Sequence, residues 1–317
     1  MPIIARSGGL MDKVAILLST YNGERYLREQ IDSILNQKNV DVDLYVRDDG
    51  SHDRTIELLK DYAEANTRIY AQYGKNVGVA NSFMELLYRA PAKYDYYAFS
   101  DQDDIWEADK IQEAIKQLKA TGAALYGSNQ ACVDKNGKSL NMRYSTTEKI
   151  HLDPISILNE NMIAGCTMVF PNWFWRILSD ENTRPSEALL RVRIHDVWTA
   201  EVAAVCGTIT YDPRSFIKYR QHENNVVGAK RAGLRENIAA KVKKIRISEY
   251  RNGRSKLAKE ICELFPEQSK KYPVLQRCAN TGTLAGRLKL IQDIPELCGF
   301  SGECKLSLLI KILCGVF

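Results

Sequence analysis

The 317-residue sequence lacks the glycine-rich signatures that bind nucleotides through backbone contacts to their phosphates. It contains neither a G-x-x-x-x-G-K-[ST] loop nor a G-x-G-x-x-G motif after a strand, which argues against P-loop enzymes and dinucleotide oxidoreductases. A phosphate-containing ligand would therefore have to be bound by a metal ion and by isolated basic side chains.

Paired cysteines and long apolar runs are missing as well. The eight cysteines are scattered without a C-x-x-C pair, which argues against a zinc site and a disulfide framework and favours a reducing compartment. Residues 1–11 lack the apolar run of a signal peptide, and no stretch reaches the length of a membrane-spanning helix. We expect a cytoplasmic protein, free or peripheral on the inner face of the cell membrane.

The formal net charge is only +5, but the basic residues are concentrated late in the chain. Residues 230–256 contain ten Lys or Arg and two Glu. This stretch suits an anionic partner such as a membrane surface or phosphates, and a solvated helix face is the alternative. No nucleic-acid partner is expected.

Short apolar runs alternate with amphipathic helical patterns over the first 120 residues. Strands are predicted at 14–18, 42–46, 69–71 and 96–99, with helices between and after them. Ser51 and Asp53 are predicted to cap the helix at 53–65. The alternation indicates an α/β fold with a mostly parallel sheet flanked by helices.

The pattern is mixed after residue 123 and helical after about residue 230. We predict a hairpin turning at Asn136-Gly137, strands at 167–170 and 208–211, and a helix at 195–206. Three apolar stripes follow, formed by Ile238, Val242 and Ile245, by Leu257, Ile261 and Leu264, and by Leu306, Leu309, Ile310 and Leu313. The last stripe is typical of a core or oligomer contact, and an interfacial membrane anchor is the alternative.

Polar clusters follow three of the predicted strands, at residues 19–22, 48–51 and 101–104. Ligands of parallel sheets bind beyond the carboxyl ends of the strands, so these clusters are predicted to line one cleft.

The cluster at 101–104 carries three carboxylates, from Asp101, Asp103 and Asp104, which repel one another unless a cation or hydrogen-bond donors compensate. Mg²⁺ or Mn²⁺ in phosphate chemistry is held by such carboxylates together with substrate phosphates. A solvated acidic loop is the alternative. In the second cluster, a carboxylate of Asp48 or Asp49 could accept a hydrogen bond from the N3–H of a pyrimidine base.

Taken as a set, these motifs resemble one family. They are Ser19-Thr20-Tyr21-Asn22-Gly23, Leu27 with Gln30, Ile34 and Gln37, Asp48-Asp49-Gly50-Ser51 with Asp53 and Thr55, Asn76 with Gly78, and Asp101-Gln102-Asp103-Asp104-Ile105-Trp106. Over roughly residues 12–225 the chain resembles the inverting glycosyltransferases of family 2, which have the GT-A fold. The segments 195–198 and 219–228 are most similar to those of bacterial rhamnosyltransferases of polysaccharide and O-antigen assembly, which use dTDP-L-rhamnose.

The resemblance implies roles for individual residues. Ser19, Tyr21 and Asp49 would hold the nucleobase, and Asn22 and Asn76, with Asn81 as a weaker candidate, would also lie at the nucleotide sugar. Asp101 would face the ribose and the metal, Asp103 would bind the metal, and Asp104 would lie near the sugar or the metal. Gly165, Cys166 and Thr167 would lie beneath the donor sugar.

Two further assignments from the resemblance have structural alternatives. Asp196 would be the catalytic base, and a helix cap is the alternative for this aspartate. His222 would approach the metal or the diphosphate, and an ordinary polar loop residue is the alternative.

The sequence also departs from the family's patterns. His195-Asp196 stands where many members carry Glu-Asp, and the Gln-x-x-Arg-Trp element of processive synthases is missing, which favours addition of one or a few sugars. We expect an N-terminal extension at 1–11, a GT-A domain at 12–228, and a helical region at 229–317 that docks on a membrane, an acceptor or another subunit.

The resemblance thus predicts a metal-dependent transfer of rhamnose to a lipid-linked bacterial glycan. Transfer from another dTDP- or UDP-sugar donor, a sugar nucleotidyltransferase, and a membrane-docked scaffold without activity are the alternatives.

Overall fold

The computed structural model describes residues 11–145, 150–222, 252–301 and 304–317. These residues form one sheet of nine strands, together with helices and two short 3₁₀ turns. The strands are β1 Lys13–Thr20, β2 Asp41–Asp48, β3 Ile69–Tyr73, β4 Tyr96–Ser100, β5 Ile105–Trp106, β6 Leu125–Val133, β7 Ser139–Met142, β8 Val169–Pro171 and β9 Ile209–Arg220.

The helices lie between these strands and after them. In the first 222 residues they are α1 Leu27–Leu35, α2 Thr55–Ala65, α3 Val79–Arg89, α4 Lys110–Thr121, α5 Pro154–Asn159, α6 Asn172–Ser179, α7 Glu187–Leu190 and α8 His195–Cys206. The C-terminal helices are α9 Gly253–Leu264, α10 Pro266–Ser269, α11 Pro273–Ala279, α12 Leu284–Ile291, α13 Ile294–Ser301 and α14 Lys305–Leu313.

The sheet has the order β3-β2-β1-β4-β8-β6-β9-β5, with β7 paired to β6. The first four strands are parallel, β8 is antiparallel to both β4 and β6, β9 is parallel to β6, and β5 is antiparallel to β9. The predicted α/β fold is therefore confirmed, with antiparallel pairs confined to the half of the sheet beyond β4.

Both faces of the sheet are buried because helices cover each of them. Successive side chains of a strand point to opposite sides, so one strand contributes to both clusters. In β1, Ala15 and Leu17 belong to the apolar cluster that includes α3 and α8, whereas Val14, Ile16 and Leu18 belong to the cluster that includes α1 and α4. A continuous apolar run is the pattern expected of a parallel strand covered on both sides.

The C-terminal helices extend the first of these clusters. Leu257 and Ile261 of α9 are fully buried in the same cluster as Trp198, and α13 contacts α5. The predicted stripe of Ile238, Val242 and Ile245 lies outside the described residues, as does most of the basic stretch at 230–256. None of the helices within the described ranges is long and apolar enough to cross a bilayer.

Local predictions differ from the structure in three places. Helix α2 begins after Arg54, and Ser51 does not cap it, because its hydroxyl donates to Oδ2 of Asp48 at 2.6 Å instead. Strand β8 starts at Val169, after a 3₁₀ turn over Gly165–Thr167. Strand β9 continues nine residues beyond Tyr211, to Arg220.

The last helix exposes most of the predicted apolar stripe and buries two other residues. Leu308 and Ile312 are the fully buried residues of α14, whereas Leu306, Ile310 and Leu313 are exposed.

Candidate active site

The three polar clusters lie together at the carboxyl ends of β1, β2 and β4. The backbone N–H of Tyr21 donates to Oε1 of Gln102 at 2.8 Å, and Nε2 of Gln102 donates to the Tyr21 carbonyl at 2.9 Å. The N–H of Asn22 donates to the Ser51 hydroxyl at 2.8 Å. These bonds join the first cluster to the other two, so the predicted cleft forms where the sequence pattern indicates.

Asp49 is almost fully buried at the part of this cleft where β2 ends. Its Oδ1 accepts hydrogen bonds from Nη1 of Arg47 at 2.5 Å and from the N–H of Val77 at 2.8 Å, while its Oδ2 accepts one from the N–H of Gly78 at 2.9 Å. The carboxylate therefore fixes the turn before α3, and Oδ2 keeps the lone pair that a base could use.

Other predicted nucleotide contacts lie near this carboxylate. The Ser19 and Ser82 hydroxyls are 2.6 Å apart, and the Tyr21 ring is exposed at the rim. Oδ1 of Asn22 accepts a hydrogen bond from the N–H of His52 at 2.8 Å, so this side chain also holds the cleft together. Nδ2 of Asn81 donates to the Val77 carbonyl.

Asn76 is exposed and lies beside Gly50. Gly50 has φ of +82°, and a Cβ on it would lie 3.1 Å from the backbone N of Asn76. Both the left-handed backbone and this close approach require glycine here.

Asp101, Asp104 and Cys166 bring two carboxylates and a thiol together, with ligand atoms all within 4.8 Å of one another. Oδ1 of Asp104 accepts a hydrogen bond from the N–H of Arg220 at 3.1 Å, but its buried Oδ2 has no partner among the described residues. The Cys166 sulfur accepts one from Nε2 of Gln130 at 3.2 Å.

The environment of this acidic cluster disfavours negative charge unless a cation is present. Burial, followed by the charges of Asp103 and Asp196, raises the pKa of Asp101 to about 7. Burial and the neighbouring aspartates also raise the pKa of Asp104 well above its ordinary value. Because Mg²⁺ and Mn²⁺ prefer carboxylate oxygens and the cluster has a buried oxygen without a partner, these residues fit a divalent cation.

Asp103 pairs with His222 beside this cluster. Oδ2 of Asp103 lies 2.7 Å from Nε2 of His222, and the His222 ring stacks on Tyr26 at a centroid distance of 5.2 Å. The structure thus groups Asp101 with Asp104 and Cys166, where the prediction groups it with Asp103 and His222. The two sets are adjacent, since the charge of Asp103 raises the pKa of both other aspartates.

Asp196 lies in the first turn of α8. The N-cap of this helix is Ile194, so Asp196 does not occupy the capping position, and its Oδ1 accepts a hydrogen bond from the N–H of Val197 at 2.6 Å. Burial raises the pKa of Asp196 to about 6, although backbone N–H groups and the Arg143 charge act in the opposite direction. A carboxyl group with this pKa can exchange protons near neutral pH.

The turn over Gly165–Thr167 packs directly against the start of α8. A Cβ on Gly165 would lie 2.7 Å from Nε2 of His195, which explains the glycine. His195 is buried, stacks on Phe83 at 4.0 Å, and has its pKa lowered to about 3 by burial, so it is a neutral packing residue. Thr167 is fully buried, with its hydroxyl donating to the Ala164 carbonyl at 2.8 Å.

Sequence reasoning missed three side chains of this region. Nη1 of Arg143 donates to Oε1 of Gln130 at 2.8 Å, so one amide joins the guanidinium to the Cys166 sulfur. Lys110 is fully buried with its Nζ 3.6 Å from the centroid of the Trp106 ring, and burial lowers its pKa to about 7. No periodicity marks Gln130 or Arg143 as cleft residues, and a lysine at the start of a helix gives no signal of burial.

An acidic cluster that follows the parallel strand β4, with the Asp196 carboxylate across a short turn, fits the GT-A fold that the sequence resemblance predicts. Solved structures agree on the fold. The Staphylococcus aureus TarS 1–349 structures with UDP and with UDP-GlcNAc superpose with TM-scores of 0.55 and 0.53, at 12% and 16% sequence identity. They cover 95% and 94% of this chain, and the chain covers 90% and 84% of them.

Sequence comparison identifies the family. The sequence model of glycosyl transferase family 2 matches residues 15–178. The chain is 31% identical over 240 residues to the dTDP-rhamnosyl transferase RfbG of Shigella flexneri, covering 74% of this chain and 79% of that protein. It is 27% identical over 157 residues to the putative teichuronic acid biosynthesis glycosyltransferase TuaG of Bacillus subtilis, covering 49% and 60%.

The chain belongs to glycosyl transferase family 2, which confirms the predicted family and the glycosyltransferase class. Enzymes of this family generally use a divalent metal, which the acidic cluster fits.

Proposed function

We propose that this protein is a metal-dependent, inverting glycosyltransferase that moves L-rhamnose from dTDP-L-rhamnose to a hydroxyl group of a growing, lipid-linked bacterial glycan. The similarity to a dTDP-rhamnosyl transferase over 240 residues supports this donor. A lipid-linked acceptor would place the reaction at the inner face of the cell membrane.

The proximity of Asp196 to the acidic cluster carries this proposal. The charge of Asp196 raises the pKa of Asp101, so the two carboxylates interact across the turn that contains Cys166. Displacement at a sugar carbon needs a base on one side of the reacting atom and charge stabilisation on the other. A donor sugar lying over this turn would have both.

Asp196 would act as the base. Its carboxylate would accept the proton of the attacking acceptor hydroxyl as the new bond to the anomeric carbon forms. The bond between that carbon and the diphosphate oxygen would break on the opposite face, which inverts the anomeric configuration. Positioned general bases of this kind contribute about 10²- to 10⁴-fold to rates.

Asp101 and Asp104 would hold the divalent cation, Mg²⁺ or Mn²⁺, and the neighbouring pair of Asp103 and His222 would complete the site. When bound, the cation would neutralise the charge that develops on the nucleoside diphosphate leaving group. The Arg143 guanidinium would add fixed positive charge, since it acts on both Asp196 and the Cys166 thiol.

The nucleotide would lie along the ends of β1 and β2. The exposed ring of Tyr21 and the remaining lone pair of Oδ2 of Asp49 would contact the base, with Ser19 beside them. Asn22 and Asn76 would form the outer wall, and Gly165 and Thr167 would support the sugar from below. Asp101 would also reach the ribose.

A UDP-sugar donor is the alternative to dTDP-rhamnose, because a TarS structure of the same fold holds UDP-GlcNAc. To distinguish the two, we would incubate the protein with Mn²⁺, a glycan acceptor that carries free hydroxyl groups, and dTDP-rhamnose, UDP-GlcNAc or other dTDP- and UDP-sugars. Thermal shift and release of nucleoside diphosphate would be followed. A ligand present at 100 times its dissociation constant should stabilise the fold by about 2.7 kcal/mol. Stabilisation and turnover with dTDP-rhamnose are expected, and the lack of either with every donor would contradict the proposal.

A further inference from the structure

Two exposed apolar stripes lie on neighbouring C-terminal helices. On α12, Leu284 and Leu288 are 65% and 56% exposed, and they are spaced to share one helix face. On α14, Leu306, Ile310 and Leu313 are 63%, 53% and 43% exposed at spacings that also share a face. Exposing five large apolar side chains on two short helices is unfavourable in water, which indicates a binding surface.

The two helices are fixed to the rest of the protein and to each other. Leu290 of α12 and Leu308 and Ile312 of α14 are fully buried in the core. Nη1 of Arg287 on α12 donates to the carbonyl of Leu313 at the end of α14, at 3.3 Å. The exposed stripes are therefore presented on packed helices.

The charged residues of α12 and α14 are all basic. Residues 284–291 and 305–313 contain Arg287, Lys289, Lys305 and Lys311, and they contain neither Asp nor Glu. Lys289 and Lys305 are exposed close to the leucines in sequence. Glu296 of the intervening α13 is exposed, but α12 and α14 themselves contribute only cations beside their apolar stripes. An apolar stripe with cations on the same helix is the pattern of helices that lie in the headgroup region of an anionic bilayer.

We propose that α12 and α14 form a docking surface for an anionic lipid bilayer, with the exposed leucines and isoleucine inserted between headgroups and the lysines at the lipid phosphates. A second copy of the chain is disfavoured because a symmetric contact would oppose two faces of the same positive charge. The proposal deepens the proposed function by naming the surface that meets the membrane, and it rests on that function for the location of the acceptor.

The test is sedimentation of the full chain with vesicles of phosphatidylcholine alone and of phosphatidylcholine mixed with phosphatidylglycerol. Binding is expected to the mixed vesicles and to weaken with added salt, because exposed charges are screened. Leu306→Gln combined with Ile310→Gln should lower the vesicle affinity at least about tenfold. Leu140→Gln is the matched control, since Leu140 is 51% exposed on β7.

A charge-reversal variant tests the contribution of the lysines to vesicle binding. Lys289→Glu combined with Lys305→Glu should lower affinity for the mixed vesicles by at least about tenfold. Lys116→Glu combined with Lys259→Glu, on the exposed faces of α4 and α9, changes the net charge equally and should bind as the unmodified protein does.

Three outcomes would overturn the proposal. These are no binding to mixed vesicles, equal effects of the test and control variants, and a dimer in sedimentation equilibrium that the Leu306 and Ile310 changes dissociate. Donor turnover measured without vesicles tests the proposed function independently of membrane binding. The variants should keep that turnover, and a protein that binds vesicles without turning over any donor would contradict the proposed function alone.

Discussion

Nε2 of His222 lies 2.7 Å from Oδ2 of Asp103, although 119 residues separate the two in the chain. Strand β9 brings them together, because its last residue, Arg220, donates from Nε to the Asp103 carbonyl at 3.0 Å and from its N–H to Asp104. The acidic loop is thus held by the end of a strand that the sequence places far away.

Replacing Asp103 with asparagine keeps a hydrogen-bonding group near His222 but removes the negative charge beside the acidic cluster. We expect donor turnover to fall by about 10²- to 10³-fold, because charge stabilisation of the leaving group depends on the cation. The melting temperature should change little. Asp61→Asn on the exposed face of α2 is the control, and full activity of Asp103→Asn would show that Asp103 takes no part in cation binding.

Asp196 should impose an acid limb on the pH profile. Its pKa is raised to about 6 and only the carboxylate can accept a proton, so kcat/KM should fall about tenfold for each pH unit below 6 and level off above it. Asp196→Asn should lower kcat by about 10²- to 10⁴-fold with little change in donor affinity. Retention of the same acid limb in the residual activity of this variant would assign the limb to another group.

Gly165→Ala should destabilise the protein. The new methyl group would lie 2.7 Å from Nε2 of His195, whose ring is held between Phe83 and Phe99. Overpacking of this kind costs about 1 to 3 kcal/mol. Gly282→Ala is the matched control because a Cβ there meets no heavy atom within 4 Å. Equal melting temperatures for the two variants would contradict the packing seen at Gly165.

Glu201 should make the protein less stable as the pH rises. Burial raises its pKa well above 4.5, and neither carboxylate oxygen has a hydrogen-bond partner in the described part of the chain. The unfolded chain ionises above pH 4.5 while the folded one stays protonated, so stability is lost by about 1.4 kcal/mol per pH unit until the folded pKa is reached.

Glu201→Gln removes this cost. Its free energy of unfolding should exceed that of the unmodified protein at pH 8, and the difference should shrink at pH 5. Denaturant unfolding at both pH values provides the measurement. Glu263→Gln, on the surface of α9, should show no such pH dependence.

Strands with continuous apolar runs were the most predictable part of the fold. Residues 14–18 are buried on both faces, so pattern and structure coincide. Strand β9 was predicted too short because Asp212, Arg214 and Lys218 interrupt its apolar residues. Asp212 is nevertheless buried, since Arg214 pairs with it at 2.7 Å. An ion pair between alternate residues of one strand cannot be foreseen from hydrophobicity.

The candidate site, like the fold, was predictable only in part. The three strand-end clusters were predictable because parallel topology places them at one edge of the sheet. The grouping of Asp104 with Cys166 was not, because it depends on how deeply the 3₁₀ turn packs beneath the acidic loop. Periodicity likewise placed Leu306, Ile310 and Leu313 on one face of α14, but whether that face is buried or exposed is decided by the helices that pack against it.

The sulfur of Cys166 gives an otherwise hard, oxygen-based pocket one soft donor atom. Burial, followed by the charges of Asp104 and Asp101, raises the pKa of this thiol well above its ordinary value, so an ion must displace the thiol proton to bind the sulfur. Ions such as Zn²⁺ and Cd²⁺ do so more readily than Mg²⁺, which has little affinity for sulfur. An enzyme with this pocket is expected to lose turnover to traces of thiophilic ions and to regain it on treatment with a selective chelator.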